Sequence, residues 1–244
     1  MKVGTDGVLL GAWATVLPEM PTAQNEPAEV DPAYPSDDKS SSDDAVFSVL
    51  DIGTGTGLIA MMIAQRNNSA KIDAIDIDRD ACIQAIENIE KSPFRNRIKV
   101  IHQSLANYST EKKYDLIISN PPFFNNSLKS PDEKRNVARH NVSLSLKELI
   151  ERAIPMLSEN GRIALILPIQ LSKELDFIIT THKLYITRRT DVIPVEGAQP
   201  KRVLIEISAK NAYKQEIKTE TLTLATKNRK RTEPYQKLTD RFYL

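Results

Sequence analysis

The sequence predicts a doubly wound α/β fold built on a mainly parallel sheet, and two observations carry that expectation. From Val46 onward, short apolar runs alternate with stretches of helical period. A glycine-rich turn follows the first of these runs and leads directly into a helical pattern. Val46 to Leu50 reads as the first strand, ending at Asp51, and Leu58 to Gln65 as a buried helix. Lys71 to Asp76 is the second strand; Arg79 to Lys91 follows as a helix with Cys82, Ile83, Ile86 and Ile89 on one face. Ile98 to His102 and Tyr114 to Ser119 make the third and fourth strands. Ser145, with Glu148 three residues later, has capping-box spacing. It opens a helix carrying Leu146, Leu149, Ile150, Ala153 and Leu157, which Pro155 should bend and Asn160-Gly161 should stop. Arg162 to Leu167 is a fifth strand and Lys173 to Lys183 another helix; Leu184 to Ile193 and Arg202 to Ser208 form a final strand pair.

With 41% hydrophobic and 27% charged residues, the 244-residue chain has the profile of a soluble globular protein, expected to be one domain over 1–244. Its single cysteine, Cys82, excludes an internal disulfide framework. The widely separated His102, His140 and His182 lack zinc-ligand spacing, so no metal is expected. The longest apolar runs are far too short to span a membrane, and the cytoplasm is the expected compartment. Charge is unevenly placed. Residues 18–45 form an acidic, Pro/Ser-rich insertion with eight acids against Lys39, a net −7, expected to be disordered. From Arg188 to the end, 13 Lys/Arg face 7 Asp/Glu. A solvated face and a polyanion such as RNA both fit that excess.

In a parallel sheet, ligands bind beyond the carboxyl ends of the strands, so the residues that follow each strand carry the functional signal. Asp51-Ile52-Gly53-Thr54-Gly55-Thr56-Gly57 lets the backbone turn sharply and come close to a ligand. Its Gly-x-Gly-x-Gly spacing differs from the Gly-x-Gly-x-x-Gly of dinucleotide sites, and Asp51 repels phosphate but suits a cationic ligand. Asp76 ends the second strand, where a carboxylate can accept from both hydroxyls of a ribose. Asp78 and Asp80 beside it suit a helix start. Asn120-Pro121-Pro122-Phe123 follows the fourth strand: the prolines stiffen the loop, Asn120 and the Pro121 carbonyl can hold an exocyclic amine, and Phe123 offers a stacking face. An extended Pro-Pro exit from a strand is the plain structural alternative.

These motifs resemble class I S-adenosylmethionine-dependent methyltransferases of the amino-methylating group. Met1 to Trp13 (MKVGTDGVLLGAW), the Ser119 to Phe124 segment and the closing Phe242-Tyr243-Leu244 look, more narrowly, like the bacterial valine-tRNA adenine-37 N6-methyltransferases. The resemblance implies a Rossmann-like, seven-strand sheet with one antiparallel strand. It also implies S-adenosylmethionine as cofactor, methyl transfer to N6 of adenine 37 in a tRNA anticodon loop, and no metal. On this reading Asn120, Pro121, Pro122 and Phe123 are catalytic, and Thr5, Asp51, Gly53, Gly55, Gly57, Asp76, Ser104 and Asn120 contact the cofactor. Ser104 stands where many methyltransferases carry an acid. Candidate RNA contacts are Arg139, His140, Arg188, Arg189, Lys201, Arg202, Arg229, Lys230 and Arg231, with a monomer expected. Members of the family also carry residues ahead of the Lys2-Val3-Gly4 segment, and such residues would cover cofactor and substrate. An amino methyltransferase acting on a ribosomal guanine or a protein glutamine would use the same Asn-Pro-Pro chemistry. An NAD-dependent oxidoreductase is disfavoured by the glycine spacing, and a silent RNA-binding module would not need the glycine turn.

Overall fold

The computed structural model describes residues 4–16, 46–121, 144–210 and 219–242. The chain runs through α1 (Thr5–Trp13), β1 (Phe47–Ile52), α2 (Leu58–Arg66), β2 (Ala70–Asp76), α3 (Arg79–Glu90), β3 (Ile98–His102) and β4 (Tyr114–Ser119). It continues with α4 (Leu146–Ala153), β5 (Leu157–Pro168), α5 (Ser172–Thr181), β6 (Tyr185–Val195), β7 (Arg202–Ser208), β8 (Thr219–Ala225) and α6 (Glu233–Thr239). All of these strands join one sheet in the order β3-β2-β1-β4-β5-β7-β6-β8. Only β7 is antiparallel to its neighbours; β8 runs parallel to β6 and so shares the direction of β1 to β5. The expected mainly parallel sheet with one inverted strand is therefore present, with β8 as an eighth strand beyond the expected seven.

The strands at the centre are buried on both faces: five of the six residues of β1, and five of the six of β4, are buried. On one face, Leu9 and Leu10 of α1, Ile63 of α2, Ala85 of α3 and Tyr235 of α6 pack against Val49, Leu116, Ile118 and Leu204. On the other, Leu149 and Ile150 of α4 and Leu175 and Ile178 of α5 cover Leu50, Ile117, Ile163 and Ile205. Midway along β2, Asp73 Oδ2 accepts from Tyr114 OH, at the amino end of β4, and from Lys112 Nζ, each at 2.8 Å, and so ties β2 to the start of β4. Burial, with Asp73 beside it, pushes the Tyr114 phenol up.

Local chemistry explains where expectation and structure part. The helix opened by Ser145, whose Oγ accepts from Glu148 N at 3.1 Å, stops at Ala153. Pro155 lies in a 3-10 turn over Ile154–Met156 instead of bending a longer helix, because it has no N–H with which to continue the hydrogen-bond ladder of α4. Leu157 and Asn160-Gly161 belong to β5. There a Cβ on Gly161 would stand 2.5 Å from the Tyr114 carbonyl oxygen and 2.9 Å from Ser158 N, so glycine serves close strand approach and not a helix stop. On α3 the buried residues are Ala81, Cys82, Ala85 and Ile89, while Ile83 and Ile86 face outward. Helix α1 shows little amphipathic signal because Gly7 through Trp13 are all buried. The acidic insertion, Pro122, Phe123, Arg139 and His140 lie outside the described residues.

Gly161→Ala is expected to destabilise the protein by about 1–3 kcal/mol through overpacking. The check is a lower urea midpoint with unchanged m; a wild-type midpoint would show that β5 does not need the close approach.

Candidate functional site

The glycine turn is fastened to the exit of β2. Gly53 N and Thr54 N both donate to the Ile75 carbonyl, at 2.9 and 3.1 Å. Gly55 N donates to Asp76 Oδ2 at 2.8 Å. From the other side, Asn88 Nδ2 on α3 donates to the Thr56 carbonyl at 2.9 Å, a support that spacing alone did not single out. This winding places Gly53, Gly55 and Gly57 at φ of 72°, 58° and 78°, left-handed backbone that favours glycine at all three. Their roles differ. A Cβ on Gly53 would meet nothing within 4 Å, whereas one on Gly57 would stand 3.2 Å from Ile89 Cδ1. Gly53 therefore borders open space at the ligand end, and Gly57 lets α2 and α3 pack.

Two carboxylates flank the turn. Asp51 is wholly buried; its Oδ2 accepts from Thr54 Oγ1 at 2.6 Å and its Oδ1 has no hydrogen-bond partner. Burial lifts its carboxyl from 3.8 to about 7, with the Asp76 charge adding to the rise. Asp76 Oδ1 accepts from Asp78 N at 2.9 Å, so both oxygens of Asp76 hold backbone while each keeps further acceptor capacity. Asp78 caps α3, accepting from Asp80 N and Ala81 N. Ser104 begins the turn after β3, and its Oγ accepts from Asn107 N at 3.3 Å.

Asn120 follows β4 directly. Ser119 Oγ donates to the Ile52 carbonyl at 2.7 Å and fixes the ends of β4 and β1 side by side. Helix α1 comes over the same end: a Cβ on Gly7 would lie 3.9 Å from Asn120 Nδ2 and 3.6 Å from Leu58 Cδ2, and Thr5 is the exposed first residue of that helix. The structure thus brings Asp51, the glycine turn, Asp76, Ser104, Asn120 and the start of α1 to one end of the sheet.

The basic residues separate into two groups. Arg188 stacks on the Trp13 ring at 4.4 Å and donates to the Trp13 carbonyl at 2.8 Å; Arg189 pairs with Asp191 at 3.0 Å, and Arg202 with Asp6 at 2.9 Å. Lys201, Arg229, Lys230 and Arg231 are exposed, the last three in the connection from β8 to α6. Among the described residues no group of three or more His, Cys, Asp or Glu could hold a metal ion, and no helix is long and apolar enough to cross a membrane.

The residues present fit S-adenosylmethionine. The open space over Gly53 admits a ligand against bare backbone, and the orphaned Asp51 Oδ1, once its carboxyl ionises, would suit the ammonium and sulfonium. Gly53→Ala is expected to cost about 1 kcal/mol of stability from the left-handed backbone, yet to weaken S-adenosylhomocysteine binding tenfold or more in calorimetry; undiminished binding would move the ligand elsewhere. Asp51 carries a pH signature. The folded chain keeps its proton up to about pH 7 while the unfolded chain loses it near 3.8, so this group's contribution to stability falls as pH rises through that window. A cationic ligand favours the ionised form, so affinity should rise between about pH 6 and 8. Asp51→Asn should flatten that rise, and an unchanged profile in the variant would assign the titration to another group.

Comparison with known proteins places this geometry. Residues 41–180 match the model of the methyltransferase small domain. A tRNA1(Val) (adenine(37)-N6)-methyltransferase of Parabacteroides distasonis is 45% identical over all of this chain and 91% of its own length. Proteins of the same name from Bacteroides fragilis and Flavobacterium johnsoniae are 42% and 37% identical over the whole chain, which covers 91% and 93% of their lengths. A predicted O-methyltransferase from Agrobacterium tumefaciens superposes with a TM-score of 0.64 at 16% identity, covering 96% of this chain and 95% of that one. A putative class I S-adenosylmethionine-dependent methyltransferase from Listeria monocytogenes gives 0.55 at 18% identity, over 74% and 60% of the two chains. The two superpositions show the fold alone. The relatives, matched from end to end of this chain, show the family: the chain belongs to the tRNA1(Val) (adenine(37)-N6)-methyltransferases, within the methyltransferase small-domain group.

Proposed function

We propose that the protein transfers a methyl group to the exocyclic N6 of adenine 37 in valine tRNA, with Asn120 and Pro121 holding the amine. The observation that carries this reading is the side-by-side placement of Asn120 and the glycine turn, fixed by Ser119 Oγ on the Ile52 carbonyl. The names of the full-length relatives support the choice of substrate. When bound, S-adenosylmethionine supplies an electrophilic methyl on a sulfonium. The chain's own residues do the rest. An aromatic amine is a weak nucleophile because its lone pair is delocalised into the ring. The Asn120 side-chain oxygen and the Pro121 carbonyl, as acceptors, draw the two N6 hydrogens out of the ring plane and turn the lone pair toward the glycine turn. Positive charge growing on the nitrogen faces those same oxygens, which stabilise it without reorganising. No strong base is required, and the surplus proton leaves to solvent. Adenine 37 lies in a loop, where extrusion costs less than from a duplex.

Topology supports an RNA face at the same end. Because β8 runs parallel to β6, its carboxyl end and the Lys227-Asn228-Arg229-Lys230-Arg231 stretch lie at the same end of the sheet as Asn120. The path from β4 to β8 crosses four strand spacings, about 19 Å. Arg229, at φ 59°, closes a tight turn: its N–H donates to the Thr226 carbonyl and Thr226 N to the Lys230 carbonyl, each at 2.8 Å. On this reading Arg229, Lys230 and Arg231, with Arg139 and His140, grip phosphates while the target base reaches Asn120. A tRNA substrate supports a cytoplasmic location for this activity.

The test is nucleoside mass spectrometry of valine tRNA transcripts treated with the protein and labelled cofactor. N6-methyladenosine should appear with adenine at position 37, and no methyl group should be accepted with guanine there. Labelling of the guanine transcript would favour the ribosomal-guanine alternative. Asn120→Ala should keep cofactor binding and lower turnover a hundredfold or more, about 3 kcal/mol. Replacing Lys230 and Arg231 by Glu should weaken RNA binding and flatten its salt dependence; an unchanged salt slope would remove the β8–α6 turn from the interface.

A further inference from the structure

We infer that Arg202 and Glu206 of β7 act as positioning residues, a two-point clamp that sets where Gly7 of α1 stands against Asn120. The inference rests on the proposed role of Asn120. Residues 202, 204 and 206 share one face of β7, the face on which Leu204 packs with Leu9 and Leu10 of α1. Arg202 Nε donates to Asp6 Oδ2 at 2.9 Å at the ligand end. Four residues along the strand, Glu206 accepts from Thr15 N at 2.6 Å through Oε1 and from Thr15 Oγ1 at 2.9 Å through Oε2. The anchors lie about 14 Å apart along the strand; the helix covers about 10 Å of that from Asp6 to Trp13, and the extended Ala14 carries the chain on to Thr15. The strand therefore serves as a ruler for the helix and fixes it along its axis.

Rotation is fixed as well. Trp13 Nε1 donates to Thr190 Oγ1 at 2.9 Å, and the carbonyls at the carboxyl end of α1 accept from Arg66 (on Gly11, 2.7 Å) and Arg188 (on Trp13, 2.8 Å). An axial slip of one residue would carry Gly7 off Asn120 and bring a side chain to the place where the structure has none. Glu206, 1% exposed, belongs to the core, whereas Arg202 and Asp6 are partly exposed, so the ligand-end anchor can be cut without unfolding the chain.

The experiment uses the full chain, with four variants: Asp6→Asn, Arg202→Ala, Arg202→Lys, and the exchange of Asp6→Arg with Arg202→Asp. Steady-state kinetics with valine tRNA are read beside thermal midpoints and S-adenosylhomocysteine affinity. Asp6→Asn and Arg202→Ala should each lower kcat tenfold or more, with the KM for RNA within twofold of wild type and the midpoint nearly unchanged. Arg202→Lys should recover part of kcat, and the exchange most of it. A raised KM for RNA at unchanged kcat would overturn the inference and make Arg202 a phosphate contact. Wild-type kcat in the single variants would overturn it too, as would a loss of kcat that follows the midpoint down and is not recovered by the exchange. Asn120→Ala, run alongside, separates the two levels: if it keeps full turnover, the role of Asn120 fails, whereas if it loses turnover and Arg202→Ala does not, only the clamp fails.

Discussion

Ile75 and Asp76, the last two residues of β2, hold the exits of both neighbouring strands at once. The Ile75 carbonyl takes the amides of Gly53 and Thr54 after β1, the Asp76 carboxylate takes Gly55, and the Asp76 carbonyl takes Gln103 after β3 at 2.9 Å. These bonds require β1, β2 and β3 to end level, which the parallel register from Ile52 opposite Ile75 and Asp76 opposite His102 provides. The left-handed glycines, the aim of Asp51 and the start of α2 all follow from that fastening. Asp76 is therefore structural, holding this end of the sheet through both its carboxylate and its carbonyl.

Much of this was legible in the sequence because the signals are local. Apolar runs of strand length, a Gly-x-Gly-x-Gly turn and an acid at the end of the next run define β1, β2 and the loops between them. What escaped depends on contacts distant along the chain. Helix α1 is buried on every side and so has no polar face to betray its period. Strand β8 carries its inward alternation on Leu222 and Leu224 alone, within a stretch rich in threonine. A charge count also cannot separate Arg188, held against Trp13, or Arg202, paired with Asp6, from the exposed Arg229 and Lys230. The ring that Arg188 covers belongs to a residue 175 positions away.

Asp51 shows what the ligand end costs the rest of the molecule. A buried carboxylate with one unsatisfied oxygen opposes folding, and the chain relieves it by holding a proton up to about pH 7 or by taking a cation from outside. Nearby apolar packing by Ile59, Ala60 and Ile63 of α2 supports the turn despite that cost. The arrangement stores in the unliganded fold a preference for positive charge.

The inversion of β7 has a consequence for engineering. Since β7 runs against the other strands, it is its beginning, and with it the β6–β7 hairpin at Gly197, that lies at the ligand end. Gly197 sits at φ 84° with nothing within 4 Å of where a Cβ would go. Residues grafted into that hairpin would extend the rim beside Asn120 without crossing the sheet or disturbing a helix. It is a natural insertion point for retargeting the scaffold to other nucleic acids.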